Sequence, residues 1–210
     1  MLGVDHIQVQ TKKSFNQTIS GVDLIVGSRT SSMNLLLYTV FRIGSPTHNI
    51  PWSSFERIKE NNKVTWAIPL SLGDSHKGFR VIGTNNDYFD YYKYGKKHAI
   101  TFLKGRNLQR VFDVVIGFDV ARSLGYQLND KLTLSHGMVS THFTQHAKNP
   151  FNVVGILNQT GTPVDQALHI SLQGLDTLHV ASPTIETSHV HEHEQEHNKD
   201  KNKSATIKKS

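Results

Sequence analysis

The chain has 210 residues, which is enough for one large domain or two small ones with a sizeable hydrophobic core. Apolar residues make up 37%, and the longest strongly apolar stretch, Met33 to Phe41, is far shorter than the roughly 20 residues of a membrane-spanning helix. The net charge of +6 is spread along the chain without a groove-reading motif, so we expect no nucleic-acid partner, and the absence of cysteine excludes disulfide frameworks and cysteine-based zinc sites.

The chain opens with a moderate helical pattern over residues 4–19, in which apolar residues recur among polar ones. Asp23 to Val26 follows as a predicted buried strand. A second helix is predicted over Ser31 to Ile43, with Ser31 or Ser32 as its N-cap and a stop at Gly44. This helix is apolar around much of its circumference, so it faces either a core or, alternatively, a partner or lipid surface.

A capping box of Ser53 and Glu56 predicts a third helix that runs to about Glu60. A strand over Val64 to Leu70, a turn over Gly73 to Gly78 and an antiparallel partner over Phe79 to Ile82 are predicted next. The aromatic segment Asp87 to Lys97 is predicted as a short helix or turn, and its rings either form a seam between two lobes or stack on bases.

The second half of the chain alternates short strands with turn residues. Val114 to Ile116 is a β-branched strand, Phe118 to Leu124 has helical spacing, and Gly125 is the favoured residue just past a helix end. The pattern then predicts a turn at Asn129-Asp130 and a strand through Leu132 and Leu134. Two more strands are predicted over Phe151 to Leu157 and Leu168 to Leu172, with a turn at residues 160–163 between them. The last predicted element is a helix over Ser171 to His179, capped by Ser171.

The order of these elements resembles the extracytoplasmic core domain of MacB/FtsX-type ABC transporter permeases. The run "VIGFDVARSLGYQLNDKLTL", followed by "FNVVGIL", "TGTPVDQA" and "LHISL", is similar to the family pattern VGxxVAxxLGLxxGDxxxL…FxVVGxL, with Asn129-Asp130 where the family has Gly-Asp. The earlier segments "DLIVGSR", "IPWSSFERIK" and "VTWAIPLSLGDSHKGFRVIGT" also resemble a branch of this family. Together the resemblance covers about residues 1–182.

The resemblance implies an α+β fold with two lobes. Residues 1–20 would be a membrane-proximal helix, and residues 21–95 with 162–182 would form an α/β lobe. Residues 96–161 would form a smaller, inserted strand-rich lobe. Residues 183–210 contain five acidic residues and five lysines but no aromatic residue. They would be a flexible His/Glu/Lys-rich linker.

The resemblance also implies a function without catalysis or a cofactor in this domain. Such a domain lies on the periplasmic, or extracytoplasmic, side of the bacterial cytoplasmic membrane and relays ATP-driven movement to substrate or partner proteins. Its implied partners are a second permease copy or paralogue, a cytoplasmic ATPase subunit and a periplasmic adaptor or substrate-binding protein. The chain would be held to the membrane through flanking helices that lie outside it.

Two alternatives come from the residues themselves. The first is a GDS-type serine esterase, because Gly73-Asp74-Ser75, Gly83-Thr84-Asn85 and Asp176 with His179 match that enzyme class in residue type. The order and spacing of these blocks are unusual for the class, and a β-turn at the first block accounts for it equally well.

The second alternative is a metal-binding extracytoplasmic module. Four of the thirteen histidines, His189, His191, His193 and His197, fall within nine residues of the tail with glutamates between them. Imidazole and carboxylate groups suit zinc, copper or nickel, so the tail is predicted to bind a transition metal, most readily zinc. His136, His142 and His146 are a weaker candidate group in the loop before Phe151.

Overall fold

The computed structural model describes residues 18–44, 48–136 and 150–180. The predicted helix over residues 4–19 lies almost wholly outside these ranges, as does the chain after Val180. The α-helices are α1 (Ser32–Thr39), α2 (Trp52–Lys59), α3 (Asp87–Tyr91), α4 (Phe118–Leu124) and α5 (Leu172–Val180). The strands are β1 (Ser71–His76), β2 (Phe79–Thr84), β3 (Lys93–Tyr94), β4 (His98–Ala99), β5 (Phe102–Gly105), β6 (Asp113–Ile116), β7 (Lys131–Leu132), β8 (Ser135–His136), β9 (Phe151–Leu157) and β10 (Ala167–Ser171), with a 3₁₀ turn at Pro163–Gln166.

Eight of the strands form one mixed sheet in the order β5-β9-β6-β10-β2-β1-β8, with β7 paired to β9. The β10–β2 and β6–β9 pairs are parallel, and the other pairs are antiparallel. This mixture of helices and a mixed sheet confirms the predicted α+β class. Strands from both predicted lobes lie in this sheet, and the division of the chain into lobes stays a prediction.

Each face of the sheet carries its own apolar core. Alternation along the central strands separates the side chains, because successive residues of a strand point to opposite faces. Val114 and Ile116 of β6 belong to the core under α4 and α5, the α4–α5 core, whereas Val115 belongs to the core under α1 and α3, the α1–α3 core. The sheet is therefore covered by helices on both sides.

The prediction is most accurate around β6 and α4. The strand over Val114 to Ile116 and the helix over Phe118 to Leu124 are confirmed, and Gly125 ends the helix with a φ of 71°. The strands β9 and β10 and the turn at Asn129-Asp130 are confirmed as well, and Ser171 Oγ accepts a hydrogen bond from Gly174 N at 2.9 Å as the predicted cap of α5.

The predicted strand over Asp23 to Val26 is wrong. The segment pairs with no strand in the described part of the chain, and Leu24 and Val26 are 74% and 46% exposed. Val22 and Ile25 pack instead against the α1–α3 core. Their apolar character reflects this packing rather than a place in the sheet.

The helix α1 is shorter than predicted, and its packing is shallower. Ser31 is its N-cap, as expected, because Ser31 Oγ accepts a hydrogen bond from Asn34 N at 3.1 Å. No residue of the helix is buried, and Leu36 is a half-buried contact of the α1–α3 core. Its apolar circumference is thus only partly covered.

The predicted capping box of α2 is also wrong. Pro51 is the N-cap residue and Ser53 lies inside the helix, so Ser53 cannot cap it. The Glu56 carboxylate accepts a hydrogen bond from Trp52 Nε1 at 2.9 Å instead. Proline at a helix start loses no intrahelical bond, because the first N–H groups have no partner there.

The hairpin formed by β1 and β2 lies later in the chain than predicted. Val64 to Leu70 is not a strand, since Pro69 has no N–H to donate to a ladder and its carbonyl accepts a bond from Thr84 Oγ1 at 2.8 Å. The predicted turn over Gly73 to Gly78 is mostly strand β1. The loop itself is Lys77-Gly78, where both residues have positive φ, as the tightest hairpin turns require.

Candidate functional site: a groove beside the edge strand

A surface depression in the described part of the chain lies between β5 and α4. Its volume is about 520 Å³. Its lining comes from β5, α4, the segment that follows α4, and β9: Leu103, Lys104, Phe118, Ala121, Arg122, Tyr126, Gln127, Leu128 and Ile156. Apolar carbon forms the floor, and the two cationic side chains are exposed.

Strand β5 forms one wall of this groove and ends the sheet. In the described residues it pairs with β9 alone. Leu103 is 49% exposed on it, and Lys104 is exposed beside Leu103. Gly105 ends the strand with a φ of 79°, and a Cβ there would lie 2.1 Å from the Val154 carbonyl oxygen, so only glycine fits.

Tyr126 forms the opposite wall and is held in place from behind by His76 of β1. The Thr133 carbonyl accepts a hydrogen bond from His76 Nδ1 at 2.7 Å, so His76 Nε2 accepts from the Tyr126 hydroxyl at 2.8 Å when the ring is neutral. Burial, more than the neighbouring Lys77 charge, lowers the pKa of His76 and favours that neutral form. The Lys77 ammonium lies 5.4 Å from the Tyr126 ring centroid.

Arg122 lies on the α4 side of the groove and has two partners within its own helix. Its guanidinium is 3.2 Å from the Asp119 carboxylate and 5.8 Å from the Phe118 ring centroid. These contacts hold a positive charge over an aromatic surface. The groove therefore combines a mostly apolar lining with two exposed cationic side chains.

A second polar centre is fully internal and lies in the α1–α3 core. Arg42 donates to the Thr39 carbonyl and, at 3.4 Å, to the Tyr88 hydroxyl, and it is 6% exposed. The Tyr92 hydroxyl donates to the Thr18 carbonyl at 2.8 Å, and burial raises the pKa of Tyr92. These bonds fasten the chain that enters at Thr18 to helix α3, so their role is structural.

The residues of the esterase hypothesis are not arranged as an active site. Asp74 and Ser75 are buried within strand β1, where Ser75 is opposite Arg80 on one side and Ser135 on the other. A hydrolase nucleophile of that class needs an exposed position at a strand-to-helix turn. Thr84 Oγ1 already donates to the Pro69 carbonyl. The geometry gives this alternative no support.

The predicted metal ligands lie where the structure gives no side-chain description. His189, His191, His193 and His197 fall outside the described residues. So do His142 and His146, and only the backbone of His136 is described. Within residues 18–44, 48–136 and 150–180, no group of three or more histidine or acidic side chains could hold a metal ion. The zinc site in the tail stays a prediction.

No local sequence pattern predicted the groove. Strand β5 was not predicted, because "TFLKG" is only a short apolar pair followed by lysine and glycine. A lysine and a glycine at the end of a short apolar segment are typical of an edge strand, and this pattern could have indicated β5. The role of Tyr126 depends on His76, which lies 50 residues away in sequence, and no local pattern could reveal that contact.

No helix among the described residues is both long and apolar enough to cross a membrane. Residues 7–195 match the family model described as the MacB-like periplasmic core domain. No curated protein matches the chain.

Two solved structures are similar to parts of this chain. The periplasmic region of MacB from Actinobacillus actinomycetemcomitans aligns with 15% identity and a TM-score of 0.42, over 60% of this chain and 57% of that one. A domain of a putative permease protein from Porphyromonas gingivalis aligns with 13% identity and a TM-score of 0.37, over 55% of this chain and 49% of that one. The aligned part is thus about half the length of either structure.

Proposed function

Because this chain belongs to the MacB-like periplasmic core domain family, we propose that it is the periplasmic domain of an ABC transporter permease subunit and relays ATP-driven movement to substrate or partner proteins. The match over residues 7–195 carries this proposal, since it includes every described helix and strand. The domain does no chemistry of its own in this scheme. ATP hydrolysis takes place in a cytoplasmic ATPase subunit, and a second permease copy or paralogue supplies the facing domain.

The way the chain enters the domain supports a mechanical role. Ser20 N donates to the Lys93 carbonyl at 2.9 Å, and two residues earlier the Thr18 carbonyl accepts the Tyr92 hydroxyl bond at 2.8 Å. Tyr92 itself is 2% exposed in the α1–α3 core. A displacement of the segment before Thr18 would therefore act directly on α3.

The last described helix is fixed to the same sheet from its other face. Leu175 and Leu178 of α5 are buried in the α4–α5 core. Helix α5 approaches β2 so closely that a Cβ on Gly83 would lie 2.7 Å from Leu175 Cδ2. Helix α3 follows β2, and helix α5 follows β10, which pairs with β2. A force on either helix would therefore reach neighbouring central strands, and we expect the sheet to move as one body.

The proposal is tested with spin labels in the full-length permease assembled with its ATPase. The 210 residues include no cysteine, so Gln173→Cys places one label on the exposed side of α5. We expect the distance between this label and its counterpart on the second permease copy to change when the transporter is trapped with ATP. The measurement is pulsed electron paramagnetic resonance in the ATP-bound and ADP-bound states.

A second label, Asn62→Cys, provides the internal control, because it lies on an exposed turn after α2, whose Lys59 contacts Asp87 of α3 on the other face of the sheet. The distance from residue 62 to residue 173 within one copy should stay constant through the cycle. A constant distance between copies would contradict the relay, and a change confined to the internal pair would contradict movement as one body. Neither outcome would change the assignment of this chain to its family.

A further inference from the structure

Among residues 18–44, 48–136 and 150–180, strand β5 is an open edge of the sheet. A strand at the end of a sheet presents backbone N–H and C=O groups that can pair with another chain. Soluble proteins often protect such edges with a lysine or a bulge, and β5 has both: Lys104, and an irregular register between Phe102 and Lys104. The charge of this lysine disfavours pairing with a strand that leaves it unpaired, and it favours a strand that places a carboxylate beside it.

The groove next to β5 offers the other half of a peptide site. In strand addition, backbone pairing supplies affinity, and pockets for alternate side chains supply specificity. The groove of about 520 Å³ begins at Leu103 and Lys104 of β5 itself, so a side chain of an added strand would lie over its floor. Leu103, which is 49% exposed, would offer the added strand an apolar contact at the β5 side of the groove.

The charge at this site selects the partner. Among the lining residues, Lys104 and Arg122 are cationic and none is acidic, while Lys77 lies behind Tyr126. The nearby Asp119 is paired with Arg122 at 3.2 Å and offsets that cation, so Lys104 and Lys77 supply the excess positive charge. A partner that places carboxylates along the rim would therefore be attracted and held in register.

One wall of the groove is ordered before any partner arrives. Tyr126 is held by the His76 hydrogen bond at 2.8 Å, whereas Arg122 is exposed and touches Asp119 and Phe118 only at the surface. A site whose side chains are already ordered loses less conformational entropy on binding. This pre-organisation distinguishes the groove from a merely exposed apolar patch.

We propose that β5 and its groove bind an extended segment of a periplasmic partner protein, in which acidic residues alternate with apolar ones and which joins the sheet as a strand beside β5. A second copy of this chain fits less well, because two-fold pairing of β5 with itself would bring like charges together. A lipid surface fits less well too, because hydrocarbon cannot satisfy the backbone groups of an edge strand. The inference takes only the periplasmic setting from the proposed function.

The test uses the full 210-residue chain and a blocked synthetic peptide, acetyl-Glu-Val-Glu-Leu-Glu-Val-Glu-amide. We expect binding that shifts the backbone amide resonances of Leu103 to Arg106 in nuclear magnetic resonance titrations. The matching peptide with lysine in place of glutamate should bind about tenfold more weakly or not at all, and so should a glutamate peptide with proline at its centre. The double variant Lys104→Glu/Arg122→Glu should reverse the preference between the two charged peptides.

The matched control is Arg57→Glu/Lys63→Glu, which makes the same change of charge on exposed residues in and after α2. It should leave the preference unchanged. Failure of the acidic peptide to bind, or equal binding of the lysine peptide, would overturn the proposal, and equal binding of the proline peptide would overturn strand addition. A dimer by analytical ultracentrifugation that Leu103→Asp abolishes would replace the partner with a second copy. None of these results depends on the distance measurements above.

Discussion

His169 lies at the centre of the α1–α3 core with no exposed surface. Its ring centroid is 4.9 Å from that of Tyr88 and 5.7 Å from that of Phe89. Burial lowers the pKa of His169 to about 3, with the Arg42 charge adding to the effect. The imidazole is therefore neutral in the folded protein throughout the pH range in which an exposed histidine gains its proton.

This neutral histidine should make folding sensitive to acid. Because the folded-state pKa is about 3 and the unfolded value is 6.5, the unfolded state binds more protons between these two pH values. The contribution of His169 is thus fully favourable above pH 6.5 and is lost as the pH falls toward 3, by about 1.4 kcal/mol per pH unit. We expect wild type to lose stability over this window faster than His169→Gln.

The measurement is the free energy of unfolding in urea at several pH values between 7.5 and 4. The variant serves as the reference, because the carboxylates titrate in both proteins and cancel in the difference. His76, whose pKa is also lowered by burial, is present in both as well. A difference between wild type and variant that stays constant with pH would contradict the buried, neutral state of His169.

The packing of α4 on the 3₁₀ turn depends on one glycine. Gly117 precedes α4 with a φ of −68°, a conformation open to any residue. A Cβ at this position, however, would lie 2.4 Å from the carbonyl oxygens of Val164 and Asp165. Backbone atoms cannot move aside as a flexible side chain can, so the close approach of the two elements requires glycine.

We therefore expect Gly117→Ala to lower the free energy of unfolding by about 2–3 kcal/mol. Gly73→Ala in β1 is the control, because its Cβ would meet no atom within 4 Å. That change should be neutral, or stabilising by up to about 1 kcal/mol through the unfolded chain. Equal thermal melts for the two variants would show that α4 can shift away from the turn.

The elements that could be predicted from sequence are those whose local signals agree with their packing. In Phe118–Leu124 the helical spacing, the preceding break at Gly117 and the terminal Gly125 all point to the same structure. In Phe151–Leu157 a continuous apolar run matches a strand buried on both faces. Local and tertiary preferences do not compete in these two segments.

Elsewhere the tertiary context decides the structure. "DLIV" has the composition of a strand, yet no sheet edge is next to it, and Leu24 faces solvent. Gly73-Asp74-Ser75 has turn chemistry, yet a register irregularity between Leu72 and Ser75 takes these residues into β1. The groove was missed for the same reason, since one of its walls, Tyr126, is positioned by a distant contact with His76 rather than by a motif.

The histidine-rich tail adds a prediction that concerns the complete chain. We expect zinc to bind through His189, His191, His193 and His197, with modest affinity because a flexible ligand set loses entropy on closing around an ion. Binding should weaken as the pH falls through ~6.5, since the imidazoles must be neutral to coordinate. Calorimetric titration of zinc into the full chain and into a chain ending at Ser182 measures both effects. Equal binding by the two chains would place any site elsewhere, with His136, His142 and His146 next to be tested.

The position of β10 has a consequence for how this protein is made. Among the described strands β10 comes last in the sequence, yet it lies between β2 and β6 in the sheet. Until residues 167–171 are present, β2 and β6 have no strand between them, and each exposes an open edge. At a synthesis rate of about 5–20 residues per second, this interval lasts several seconds. Open edges can pair with other chains, so a chain that stops before residue 167 should aggregate far more readily than the complete domain.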